Sequence, residues 1–163
     1  MKSAVLLSLV LFSITVAAAQ ETDSSAYKKY FGFSASRVSG LGLTFGIEPT
    51  QQINFQFTGG IFQTSSSSFS SFGCEVQFHL HNQHNYKIYV GPAFGTFNEG
   101  DELNTIREKR TSEFVFGLAM GAAAPVSGVF DNRLRVSGTL YYPTFYKDNS
   151  ISVGFGATVH FLF

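Results

Sequence analysis

The chain has 163 residues, with basic and acidic side chains in balance (Lys+Arg 11, Asp+Glu 11) and one cysteine, Cys74. Zero net charge excludes the electrostatic footprint of a nucleic-acid binder, and a lone cysteine excludes an internal disulfide. Abundant Phe (19) and Gly (16), with no Trp, suit short, curved, closed sheets with one face in lipid.

The first element in chain order is a targeting segment. Lys2 gives a basic start, Ala4 to Val16 an apolar run, and Ala17-Ala18-Ala19 the small residues of a cleavage site before Gln20. The run is shorter than the roughly 20 residues of a spanning helix. Residues 1–19 are therefore expected to be a cleaved signal peptide, 20–29 a short periplasmic segment and 30–163 a single domain.

Eight segments then alternate with period two, apolar on one face and Gly, Ser, Thr or charged on the other. They run 30–37, 41–48, 52–62, 69–81, 86–97, 111–124, 133–146 and 151–163. Phe31 and Phe33 oppose Gly32 and Ser34 in the first; Phe72, Cys74, Val76 and Phe78 oppose Gly73, Glu75 and Gln77 in the fourth. No segment after the signal is apolar enough to span as a helix, so a membrane chain must close into a barrel that leaves no strand edge in hydrocarbon. Nearly all these Phe, Leu and Ile side chains would overpack the inside of a small barrel, whereas Gly, Ser and Thr fit a narrow lumen. The predicted fold is all-β: an eight-stranded antiparallel transmembrane β-barrel, an up-and-down meander. With both ends periplasmic, the outward connections are 38–40, 63–68, 98–110 and 147–150. The third is the longest and most charged, with Glu99, Asp101, Glu102, Arg107, Glu108, Lys109 and Arg110.

The final strand sets Phe155, Val159, Phe161 and Phe163 on one face and stops on an aromatic. With the signal and the strand count, it resembles the small outer-membrane β-barrel family typified by OmpX and the membrane domain of OmpA. The resemblance covers residues 20–163. It implies residence in the outer membrane of a Gram-negative bacterium and reading of the Phe163-terminated strand by the barrel-assembly machinery. The family includes adhesins, structural proteins, narrow pores and a few lipid-modifying enzymes. In place of Trp, the interface girdles would draw on Tyr27, Tyr30, Tyr86, Tyr89, Tyr141, Tyr142 and Tyr146.

Three groups of residues carry candidate chemistry. His79, His81 and His84 form an H-x-H-x-x-H cluster that either holds a metal ion or marks a solvated strand end; it matches no strong metal signature. By alternation Glu48, Glu75, Glu113, Arg133 and Arg135 face the lumen, where they pair into a plug or line a selective pore. Eight strands leave an interior that side chains fill, while the lumen glycines leave space. The 98–110 connection offers charges of both signs to a partner or to water. No His-Ser-carboxylate set sits on a lipid-facing strand near the outer leaflet, so neither enzyme nor cofactor is expected. The reading is a monomeric scaffold among outer-membrane lipids, with outer loops that contact an extracellular partner. The alternatives are a narrow porin-like channel and a secreted lipocalin-like ligand binder with the Phe-rich face as its pocket.

Overall fold

The computed structural model describes residues 27–63, 67–82, 85–101, 109–146 and 151–163. Eight strands follow in order: β1 (Lys28–Ser36), β2 (Gly40–Glu48), β3 (Ile53–Gln63), β4 (Ser67–Asn82), β5 (Lys87–Asp101), β6 (Lys109–Pro125), β7 (Leu134–Phe145) and β8 (Ile151–Leu162), with a 3-10 turn at Phe130–Asn132. Each strand pairs antiparallel with the next, and β8 returns to β1 from Tyr30↔Leu162 to Ser36↔Gly156, closing the barrel. The expected signal peptide lies outside the described residues, and Lys28 and Lys29, expected in a periplasmic segment, open β1.

The alternation decides which face is which. Phe31, Leu43, Ile61, Phe72, Phe116 and Phe155 are exposed on the outside, Ile61 at 83% and Phe155 at 70%. Ser34, Thr44, Gln56, Thr58, Glu75, Gln77 and Thr158 are buried inside. The fold is inside-out relative to a water-soluble barrel, so the Phe-rich face forms no lipocalin-like pocket. Solvating that face takes hydrocarbon, the one medium in which an apolar exterior carries no cost.

The strands are unequal, and this shapes the lumen. β1 and β2 have 9 residues each, whereas β4, β5 and β6 have 16, 15 and 17. Residues 38–40, expected as an outward loop, turn into the barrel instead: Val38 is 0% exposed and Ser39 1%. Local chemistry permits the turn. The Ser36 hydroxyl accepts the backbone N–H groups of Val38 and Ser39, both at 3.0 Å, an ST-type bond that competes with the ladder. Gly40 and Gly42 take φ of +98° and +138°, a region closed to most side chains. β2 leaves β3 after Leu43↔Gly59 and bonds across to β4, Leu41 N–H to Ser71 Oγ at 2.9 Å and Ser71 Oγ to Leu41 O at 2.8 Å. A short β1–β2 hairpin is thus tucked inside the distal half of the barrel.

At the distal end the 98–110 connection is shorter than predicted. Residues 98–101 extend β5 and 109–110 extend β6, paired as Gly100↔Arg110 and Asp101↔Lys109. Ser112 Oγ donates to Asn98 Oδ1 at 2.7 Å, so the ladder continues past the apolar belt.

Candidate functional site: the lumen and its plug

The inner wall is cut to receive the tucked hairpin. A Cβ on Gly73 would collide with the Ser39 carbonyl, one on Gly95 with the Val38 carbonyl and one on Gly60 with the Leu41 carbonyl. Three neighbouring strands therefore present glycine where the hairpin backbone rests, the close approach for which a missing Cβ is needed. Val38 packs into a small apolar cluster with Ala93, Val115, Ala119 and Tyr141, and Phe97 and Tyr146 border it.

Below the plug, toward the chain termini, polar side chains form one continuous chain of hydrogen bonds. Tyr30 OH donates to Gln56 Oε1 (3.1 Å) and accepts from Asn54 Nδ2 (2.8 Å). Asn54 Nδ2 also donates to Gln77 Oε1 (2.7 Å), and Gln77 Nε2 donates to Glu75 Oε1 (2.7 Å). Tyr141 OH donates to Glu75 Oε2 at 2.9 Å. The single tyrosine proton being used there, Ser39 Oγ is the donor in its 2.9 Å contact with Tyr141 OH. The chain runs from β3 to the hairpin tip and holds Glu75 with no exposed surface. Nearer the termini, Lys87 Nζ meets both Glu48 carboxylate oxygens at 2.6 Å, with the two side chains 4% and 7% exposed. A bidentate, buried pair of this kind resists separation.

Placement of the residues singled out in the sequence is mixed. Glu48 and Glu75 sit deep in the lumen, but not together: Glu48 pairs with Lys87, and Glu75 with neutral donors. Arg135 lies half-buried on β7 opposite His160, and among the described residues its Nε has no hydrogen-bond partner. Glu113 keeps lumen parity but is exposed at the distal mouth. Arg133 is not in the lumen. It is exposed in the turn before β7, its N–H bonded to Phe130 O at 2.9 Å and its carbonyl to Leu162 N at 3.0 Å. The 3-10 turn takes up the chain through this residue, so strand alternation does not extend to it.

His79 Nδ1 contacts the Gln51 carbonyl at 3.0 Å, and His81 stacks on Tyr86 at 4.7 Å. A register shift falls between His79 and His81, which breaks the shared face that their spacing suggested. His84 lies outside the described residues, as do Glu102, Arg107 and Glu108. Among the described residues no three His, Cys, Asp or Glu side chains gather as a metal site. Glu99 is exposed, Asp101 ends β5, and Lys109 and Arg110 open β6. Phe155, Val159 and Phe163 point outward and exposed, and Phe161 packs edge-on against Phe130 at 5.8 Å.

Three tyrosines assigned to the interface girdle belong instead to the lumen. Tyr30, Tyr89 and Tyr141 are 1%, 2% and 1% exposed. Each ring lies over a glycine of a neighbouring strand, Gly46, Gly121 and Gly156 respectively. Tyr27, Tyr86 and Tyr142 do remain exposed. Lys87 was missed as well. Its signal was available, since Lys87 opposes Ile88 in the alternation, as Tyr30 opposes Phe31 and Tyr141 opposes Tyr142.

No protein-family model and no curated protein matches the sequence. Solved structures do match the fold. The N-terminal β-barrel domain of Pseudomonas aeruginosa OprF aligns with a TM-score of 0.56 at 12% identity, over 82% of this chain and 97% of that one. Neisserial surface protein A aligns with a TM-score of 0.51 at 14% identity, over 87% of this chain and 100% of that one. The chain has the fold of the small eight-stranded outer-membrane barrels.

Proposed function

We propose that this chain is a non-conducting outer-membrane scaffold of a Gram-negative bacterium, exported by its N-terminal segment and inserted as a monomer by the barrel-assembly machinery. Both chain ends lie in the periplasm, and the extended β5–β6 hairpin stands at the cell surface as the contact element for an extracellular partner. The observation that carries the reading is the tucked β1–β2 hairpin, which fills the lumen from the distal side and bonds into the wall at Ser71 and Tyr141. A filled lumen leaves the exterior and the hairpins as the working surfaces. The name of the Neisserial structure, a surface protein, accords with display at the surface.

The test is twofold. In planar bilayers the purified barrel should pass no current, and neutralising Glu75 or Arg135 should not create or alter any. On cells, replacing 102–108 by a short turn should abolish binding to host or bacterial surfaces, while the cold, SDS-resistant barrel still shifts on boiling. Steady wild-type conductance, changed by Glu75→Gln or Arg135→Gln, would establish the porin-like reading instead.

A further inference from the structure

The tucked hairpin has a second effect: it leaves the wall open beside it. β2 pairs with β3 only as far as Gly59, so the distal residues Gly60 to Gln63 of β3 pair with β4 alone among the described residues. β1 pairs with β8 only as far as Gly156, so among the described residues Ile151 to Phe155 of β8 pair with β7 alone. Among the described residues the distal half of the wall therefore has two unpaired edges, β3 and β8, above the hairpin. Both edges carry outward apolar side chains: Ile61 on β3, and Ile151, Val153 and Phe155 on β8, all exposed. The opening lies within the apolar belt, where an unpaired edge facing bare hydrocarbon is costly.

Behind the opening is a cavity of about 580 Å³, within the roughly 300–1,000 Å³ of small-ligand sites. Its lining crosses the wall. Phe69, Phe97 and Tyr146 come from the inner face, whereas Ala35, Leu41 and Phe155 come from the outward face of β1, β2 and β8. A lumen is ordinarily polar, yet here Phe69 and Phe97 lie 6.1 Å apart on the inner wall, with Phe62 6.2 Å from Phe69. One cationic and two anionic side chains, Arg37, Glu99 and Glu113, and the serines Ser36 and Ser152 complete the lining.

We propose that this cavity is a lateral lipid site. It admits one hydrocarbon chain of a zwitterionic amphiphile from the outer leaflet through the gap between β3 and β8. The chain lies against Phe69, Phe97 and Phe155. The anionic part of the head group meets Arg37 and its cationic part Glu99 and Glu113, and the head offers hydrogen-bonding groups to the free β8 edge. The occupant is a lipid because the cavity is continuous with the surface that already faces lipid. The site rests on the membrane placement proposed above, and the experiment separates the two.

The chain has no Trp, so a single introduced Trp reports alone. Phe97→Trp places it inside the cavity and Phe72→Trp on the outward face. Each is reconstituted in phosphatidylcholine vesicles with and without mid-chain bromine, a contact quencher. Both Trp variants should lose the greater part of their emission in brominated lipid. Adding Ala35→Arg, a charge at the opening, should restore the emission of Phe97→Trp and leave that of Phe72→Trp quenched. If Phe97→Trp keeps its emission while Phe72→Trp is quenched, or if Ala35→Arg changes nothing, the lateral site is refuted. If Phe72→Trp itself keeps its emission in a heat-shifting barrel, the membrane placement falls, and the site with it. Phe69→Trp repeats the test should Phe97→Trp fail to fold.

Discussion

Glu48 and Lys87 show how a single buried pair sets the terms for the residues around it. Both side chains are almost fully enclosed, and each carboxylate oxygen lies 2.6 Å from the ammonium. Removing one partner strands the other charge in a nearly closed space that it shares with Arg135 and His160. Glu48→Leu or Lys87→Met alone should therefore destabilise the barrel by about 3–5 kcal/mol. The double substitution should cost less than either single one, because no uncompensated charge is left. Urea unfolding in lipid vesicles measures both. A double variant as unstable as the two single losses summed would mean that the pair's partners, not the pair, hold this end of the lumen. The same scale shows why the sequence misled on tyrosine. Tyr30, Tyr89 and Tyr141 were assigned by chemical type, as interface aromatics, although period two placed each of them on the inner face. The glycines read as empty space are the seats of their rings: Gly46, Gly121 and Gly156 leave room for an aromatic from a neighbouring strand. Side-chain identity gives a preference; parity within a closed sheet gives the face.

Strand count, order and the outward direction of the Phe-rich face were legible in the sequence, because period-two alternation runs through most of each strand, with slips near His79 and after Tyr141, and eight strands closing in sequence order have one simple arrangement. The tucked β1–β2 hairpin was not legible. A three-residue connection between two strands reads as a tight turn; the expected segments 30–37 and 41–48 are already shorter than 69–81, 86–97 and 111–124, but nothing local states that their turn bends into the lumen. The inward turn depends on contacts distant in sequence: Leu41 with Ser71, Ser39 with Tyr141, and the glycine seats on β3, β4 and β5. Those seats give the element its test. Gly95→Val puts a branched side chain against the Val38 carbonyl, and Gly73→Val does the same to Ser39. Overpacking of this kind costs about 1–3 kcal/mol, and the hairpin yields before the wall, since the wall is held by the longer ladders joining β4, β5 and β6. Either variant should keep the boiling-dependent gel shift and gain single-channel current that the proposed sealed wild type does not pass. A variant that folds and stays silent would show that the tyrosines and the Glu75 network close the lumen without the plug.

At the scale of the whole molecule, stability and the proposed assembly role can be tested apart at Phe163. Its backbone N–H closes onto the Lys29 carbonyl at 3.1 Å, but its ring is 66% exposed and faces outward. Truncating the ring leaves that hydrogen bond intact and vacates no packed interior, so Phe163→Ala should barely change the urea midpoint of barrel refolded in vitro. Phe62 is less exposed, at 41%, and lies 6.2 Å from Phe69, so Phe62→Ala should cost at least as much stability. In cells the order should reverse. If the terminal aromatic is what the assembly machinery reads, Phe163→Ala should accumulate in the outer membrane several-fold less than Phe62→Ala, with the missing protein degraded or held in the periplasm. The heat-shifted band in outer-membrane fractions, compared with the in vitro midpoints of the same two variants, decides it. Equal accumulation would remove the assembly role from Phe163. A matching loss of stability in vitro would reassign the defect to the β1–β8 closure.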